Sequence, residues 1–226
     1  MSIWSRMADA IAALAKGEGL SAVFDKLRAS PDKTVAFAIA VIALGAKMAK
    51  ADGQVTKDEV VAFREVFLIP PEEEANAARG FNLARQDEAG FDLYARRIMA
   101  RYAEDDAPLC DLLEGLFHIA MADGQYHQNE DAFLRDVATI FGFDDRRFRG
   151  IRAQFVTDAD RDPYDVLGVE PDASLEVARA AWRRLVRESH PDQMIARGVP
   201  EEAVKLAERR MVAINRAWEE IQRSAA

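Results

Sequence analysis

A histidine, a proline and an aspartate stand together near the end of the chain, where a helical pattern is interrupted. His190, Pro191 and Asp192 follow a stretch in which arginines recur along one helix face, at positions Arg179, Arg183 and Arg187, with Arg184 alongside. Because proline disfavours a helical conformation in the residue before it, the helix is predicted to end near Ser189. The pattern predicts a turn beside a strip of guanidinium groups, and such a strip is usually a solvated helix face.

Catalysis is a weaker interpretation of these residues. The chain contains three histidines and one cysteine, Cys110, so an internal disulfide, a Cys-rich zinc site and a His-built metal centre are not expected. No nucleophile–base arrangement and no Gly-rich phosphate loop is visible. His190 would have to act as a lone general base on a turn, and we therefore do not expect an enzyme.

A second group of candidate residues lies in a repeated turn. The sequence Ala-Asp-Gly-Gln occurs at 51–54 and again at 122–125, and a glutamate follows each aspartate by seven residues. Oxygen ligands clustered at paired turns suit Ca²⁺ or Mg²⁺, although the spacing differs from an EF-hand loop. The alternative is structural, since 56–59 matches a helix capping box. Both interpretations stay open for the four carboxylates Asp52, Glu59, Asp123 and Glu130.

The elements that must position these residues are predicted to be helices throughout. Apolar residues recur at helical spacing along the chain, and sustained strand alternation is absent from the sequence. The uncharged run 34–46 predicts a central buried helix. Near the C-terminus we expect a short helix over 164–167, a basic helix from about 174 to 189, a loop over 193–200 and a long helix over 201–223. The His-Pro-Asp turn would lie at the tip of a helical hairpin.

Composition excludes several classes of protein. The chain has 226 residues, half of them hydrophobic, with a net charge of −9, which argues against a disordered chain and against a general nucleic-acid binder. The longest uncharged run has 13 residues, whereas a membrane-spanning helix needs about 20 apolar residues. We therefore expect a cytoplasmic protein without a transmembrane span. The amphipathic segment 1–30 is expected to pack on the bundle, and peripheral contact with the inner membrane is the alternative.

Three segments together resemble the J-domain family of Hsp70 co-chaperones. They are a short Asp-Pro-Tyr-x-Val-Leu-Gly helix from Asp162, the basic helix ending in His190-Pro191-Asp192, and a return helix carrying Ile-Asn-x-Ala-Trp-x-x-Ile from Ile214. The run 183–202 is similar to the DjlA branch, in which a TerB-like helical domain precedes the J-domain. The repeated Asp-Gly-Gln turns are consistent with such an upstream domain.

The resemblance implies a partner and a function. His190, Pro191 and Asp192 would dock on a DnaK-type Hsp70, the arginine face would meet an acidic patch, and docking would favour ATP hydrolysis and client capture. No cofactor is then required. The TerB-like domain would select a location or a client, and the client and any homodimer are left open. Ser189 and Glu188 depart from the residues common in the family.

The domain organisation that follows is all-α. We expect an amphipathic segment at 1–30, a pseudo-symmetric TerB-like bundle at 31–157, a linker at 158–161 and a J-domain at 162–226. The alternative function is an acidic, metal-responsive stress adaptor, in which the TerB-like domain binds the cation and the J-domain is vestigial.

Overall fold

Residues of the uncharged run form the helix around which the first half of the chain packs. The computed structural model describes residues 33–51, 90–103, 105–122, 124–156, 161–199 and 204–225, together with isolated positions between 71 and 82. Helix α1 (Lys33–Ala51) is buried at every position from Phe37 to Met48. An apolar surface on all sides of a helix requires neighbours on all sides, which places α1 in the core.

Four further helices with fully described bounds belong to this half of the chain. They are α2 (Phe91–Arg101), α3 (Ala107–Ala120), α4 (Gln128–Ile140) and α5 (Asp145–Arg152). Helices α2, α3 and α4 contact α1, and α5 packs on α3. A local signal defines the start of α5, since the Asp144 carboxylate accepts the Arg147 N–H at 2.8 Å, as an N-cap residue does. The result is a helical bundle with α1 at its centre.

The second half of the described chain contains α6 (Pro163–Leu167), α7 (Leu175–Glu188), α8 (Pro191–Arg197) and α9 (Val204–Ser224). Asp162 and Ser174 cap the N-termini of α6 and α7 by accepting backbone N–H groups. Helices α7 and α9 pack on each other as a hairpin, and α6 packs on both. Within the described ranges, the chain is helical with no strand, which confirms the predicted fold class.

One local prediction was wrong. Residues 193–200 were expected to form a loop, but Pro191–Arg197 is helical. The side chain of His190 caps this helix, Pro191 occupies its first position, and Gly198 ends it with a φ of 99°. Proline is favoured at the first position and glycine just after the end of a helix. These signals were present in the sequence and define a helix of about two turns.

In the residues that the structure describes, two hydrophobic clusters form the core, and one of them crosses between the two halves of the chain. The first is built from α1–α5 but includes Met194, Val199, Leu206 and Ala207 of the second half. The other surrounds Leu167, Ala178 and Ile214 within the hairpin. Every helix in the described part of the chain is too short or too polar to cross a membrane.

Candidate Hsp70-docking site

The His-Pro-Asp turn connects the C-terminus of α7 to the N-terminus of α8. The N–H of Ser189 donates to the Leu185 carbonyl, and the N–H of His190 donates to the Arg187 carbonyl at 3.2 Å. His190 then leaves the helical region, with ψ at 134°, as a residue preceding proline prefers. Its Nδ1 accepts the N–H of Asp192 at 3.2 Å. The turn is therefore a defined break between two helices.

Two side chains of this turn point into solvent. The side chain of His190 is 59% exposed and that of Asp192 is 84% exposed, and Nδ1 of His190 lies 3.6 Å from a carboxylate oxygen of Asp192. Because Nδ1 accepts a hydrogen bond, the neutral imidazole carries its proton on Nε2. The tip thus presents a ring N–H donor and a carboxylate acceptor, separated by the rigid ring of Pro191.

The arginine strip is exposed along the whole length of α7. Arg179, Arg183, Arg184 and Arg187 are all solvent-exposed. Arg184 forms an ion pair with Glu188 at 3.4 Å, so its charge is partly balanced. Within the described ranges no ion pair of Arg179, Arg183 or Arg187 is found. The structure brings this basic face and the turn together at one end of the hairpin.

Packing between the two long helices holds this face in place. The indoles of Trp182 on α7 and Trp218 on α9 stack with ring centroids 5.6 Å apart and planes inclined by 17°. Nε1 of Trp182 donates to the side-chain oxygen of Asn215 at 2.9 Å. Buried indole nitrogens generally need such an acceptor. The Asn and Trp of the return-helix motif therefore fix the orientation of the arginine-bearing helix.

Sequence reasoning missed the contact between the turn and the first half of the chain. Arg197, at the end of α8, donates to both carboxylate oxygens of Asp111 on α3, with the shortest contact at 3.1 Å. Arg210 on α9 donates through Nε to Glu114 at 2.7 and 2.9 Å and also binds Asp111. Asp111 and Glu114 are buried. Two acidic residues spaced by three in an otherwise apolar run were the available signal.

Charge neutralisation explains why these groups tolerate burial. Burial alone opposes the charged form of Arg210, but Glu114 and Asp111 outweigh it and hold its pKa well above the usual value. A buried charge is stable only when it is paired and hydrogen-bonded. Two arginines of the hairpin and two carboxylates of the bundle therefore form one buried ion-pair cluster.

The carboxylates proposed as cation ligands lie mostly outside the described residues. Asp52, Glu59 and Asp123 fall there. Glu130 is described and buried, and it accepts the backbone N–H of His127 at 2.9 Å, which is the reciprocal bond of a capping box. Among the described residues, no three or more His, Cys, Asp or Glu side chains are arranged to hold a metal ion.

Comparison with known proteins assigns both halves of the chain. The family model for the tellurite resistance protein TerB matches residues 38–153, and the DnaJ domain model matches residues 162–225. No solved structure matches the chain significantly.

Curated relatives match most of the chain. A co-chaperone protein DjlA from Photobacterium profundum is 28% identical over 224 residues, covering 86% of this chain and 79% of the relative. The DjlA proteins of Coxiella burnetii and Vibrio cholerae are 28% and 27% identical, and each covers 78% of this chain and 73% of the relative. This chain therefore belongs to the TerB family and continues into a DnaJ domain, which is the domain order of the DjlA-like J-domain co-chaperones.

Proposed function

We propose that this chain docks on the ATP-bound form of a DnaK-type Hsp70 and stimulates its ATP hydrolysis. The observation that carries the proposal is the exposed His-Pro-Asp turn at the end of an exposed arginine face. A ligand shifts a conformational equilibrium only through its different affinities for the two states. Docking therefore acts by binding the hydrolysis-competent Hsp70 more tightly, and the chain itself performs no chemistry.

The two parts of the site contribute differently. The arginine face provides long-range attraction to an acidic partner surface, which raises the association rate and sets orientation. The turn provides directional groups at short range, namely the Nε2–H of His190 and the carboxylate of Asp192. Loss of one charge of the strip should slow docking, whereas loss of a group at the tip should strongly reduce the stimulation of hydrolysis.

The TerB-like domain has a targeting or client-selecting role in this proposal. All residues assigned to Hsp70 docking lie between Arg179 and Asp192, so the outer surface of the bundle is left to other partners. The client is not defined by this assignment.

Single-turnover ATP hydrolysis by the host Hsp70 tests the proposal. His190→Gln and Asp192→Asn should each reduce stimulation by about tenfold or more, equivalent to ~1.4 kcal/mol or more. Circular dichroism should remain close to that of the original chain for both variants, and thermal unfolding should do so for Asp192→Asn, which keeps the cap of α8. Asp172→Asn is the matched control, because it removes the same charge from an exposed position before α7. Full stimulation by either turn variant would refute the proposal.

A further inference from the structure

Arg197 connects three parts of the molecule that meet at the docking turn. Its Nη1 donates to the carbonyl oxygen of Glu188 at 3.1 Å, while Nε and Nη2 bind the Asp111 carboxylate. Glu188 is the last residue of α7, and Arg197 is the last residue of α8. The side chain of Arg197 thus connects the two ends of the segment 188–197 and attaches this segment to the bundle.

The bond to Glu188 stabilises the end of the arginine-bearing helix. The last four carbonyl groups of a helix lack partners within the helix. The N–H groups of Ser189 and His190 donate to the Leu185 and Arg187 carbonyls. The guanidinium of Arg197 donates to the Glu188 carbonyl. A cation at a helix C-terminus also interacts favourably with the helix dipole.

The bond to Asp111 makes this arrangement depend on the upstream domain. Asp111 is fully buried in α3, and the side chain of Arg197 is 13% exposed. Met194 and Val199, on either side of Arg197, are buried against the same bundle. An ion pair and apolar contacts therefore attach the segment that follows the turn to the bundle. The side chains of His190 and Asp192 remain exposed to solvent.

From this geometry we infer that Arg197 is a positioning residue, through which the TerB-like domain holds the His-Pro-Asp turn ready for Hsp70. The inference rests on the docking role proposed above. A binding-competent conformation that is only partly populated weakens the apparent affinity in proportion to its population. Pre-ordering by Arg197 therefore lowers the chain concentration needed for half-maximal stimulation. It leaves maximal stimulation unchanged, because the docked conformation is the same.

Arg197→Gln in the full chain tests the inference by two measurements. Without Hsp70, amide hydrogen exchange should accelerate at Asp192, Gln193 and Met194, whose N–H groups bind the His190 side chain or carbonyl. With Hsp70, the half-stimulating concentration should rise by about fivefold at unchanged maximal stimulation. Arg197→Lys, which retains the charge, should change both measurements less than Arg197→Gln does.

Arg149→Gln is the matched control. Arg149 on α5 binds Asp165 on α6 at 2.6 Å, so this variant also removes one positive charge and one ion pair between the two halves. It lies away from the turn and should leave exchange at residues 192–194 unchanged. Its half-stimulating concentration should stay within about twofold of the original.

Asp111→Asn distinguishes positioning from direct contact with Hsp70. Because Asp111 is fully buried, it cannot touch a partner, yet it should shift exchange and half-stimulation in the same direction as Arg197→Gln. Because both variants remove the Arg197–Asp111 pair, the change in exchange at residues 192–194 in the double variant should be smaller than the sum of the two single changes. Normal circular dichroism confirms that each variant folds.

Two results would overturn the positioning role. One is a raised half-stimulating concentration for Arg197→Gln with unchanged hydrogen exchange at residues 192–194, which would make Arg197 a direct contact of Hsp70. The other is unchanged exchange and unchanged half-stimulation. If the original chain fails to stimulate Hsp70 at all, the docking proposal is wrong, and the exchange comparison alone then decides whether Arg197 orders the turn.

Discussion

His190 caps a helix in this structure and is also a residue proposed to contact Hsp70. Its Nδ1 caps α8 by accepting the N–H of Asp192, and its exposed ring faces solvent. Substitution of His190 therefore removes a helix cap and a docking group together. Asp192→Asn retains the cap, because it is the backbone N–H of residue 192 that donates. For this reason the Asp192 variant is the cleaner test of docking, and the His190 variant needs a stability measurement beside it.

His118 provides a pH-dependent contact between the two halves. Its Nδ1 lies 2.6 Å from Nη1 of Arg209 on α9. Burial, followed by the charges of Arg209 and Lys205, lowers the pKa of His118 from 6.5 to about 4. The folded chain therefore favours neutral His118, which accepts a hydrogen bond from Arg209.

Because protonation of His118 is coupled to folding, the shift of its pKa determines how the free energy of unfolding changes with pH. Since the folded pKa lies below the unfolded one, stability is fully present above pH 6.5 and is lost as pH falls toward 4. His118→Gln should flatten the pH dependence of the free energy of unfolding in this window. Chemical denaturation at several pH values measures it. An unchanged slope between pH 6.5 and 4 would contradict the assignment.

Helix-level features explain where sequence reasoning succeeded and where it failed. Side chains cap the N-termini of α6 and α7, and the predicted positions of these two helices agree with the structure to within one residue at each end. Helix α8 was missed because seven residues are too few for an apolar periodicity to be recognised. Its cap and its glycine were the available signals. The predicted linker at 158–161 stays a prediction, since residues 157–160 lie outside the described ranges.

Close packing of α5 on α6 depends on the absence of a side chain at Gly150. A Cβ atom placed there would lie 2.2 Å from the carbonyl oxygen of Asp165, a backbone atom that cannot move without displacing α6. Gly150→Ala should therefore reduce the free energy of unfolding by about 1–3 kcal/mol. Urea denaturation measures the loss.

Gly115 in α3 is the matched control for this substitution. A Cβ atom there would meet Val41 and Leu206 at 3.8–3.9 Å, which is ordinary contact. Gly115→Ala should stabilise the chain by about 0.5–1 kcal/mol because alanine is the better helix former. Equal effects of the two substitutions would argue against the close approach of α5 and α6.

At the scale of the whole molecule, an acidic chain carries a basic face on α7. The net charge is −9, but the exposed face of α7 carries four arginines. Local charge of this kind steers association with an acidic surface even when the overall charge opposes it. The ionic-strength dependence of docking should therefore be controlled by α7 rather than by the net charge.

A pair of charge-reversal variants tests this. Arg183→Glu and Arg223→Glu both change the net charge from −9 to −11, but only Arg183 lies on the docking face. Arg183→Glu should raise the half-stimulating concentration about tenfold in about 0.05 M salt, and less in about 0.3 M salt because screening increases. Arg223→Glu should change it little. Similar effects of the two variants would show that net charge governs docking.

The sequence by itself determined the helical class, the order of the two domains and the position of the His-Pro-Asp turn. These properties depend on local periodicity, on proline and glycine stops, and on motifs that are contiguous in the chain. Only the tertiary structure decided that Asp111 and Glu114 face Arg197 and Arg210. These partners are separated by 86 to 99 residues along the chain, and no local pattern specifies which buried charges will meet. The contact follows from how α3 packs on α8 and α9, because buried carboxylates require neutralising partners wherever the fold places them.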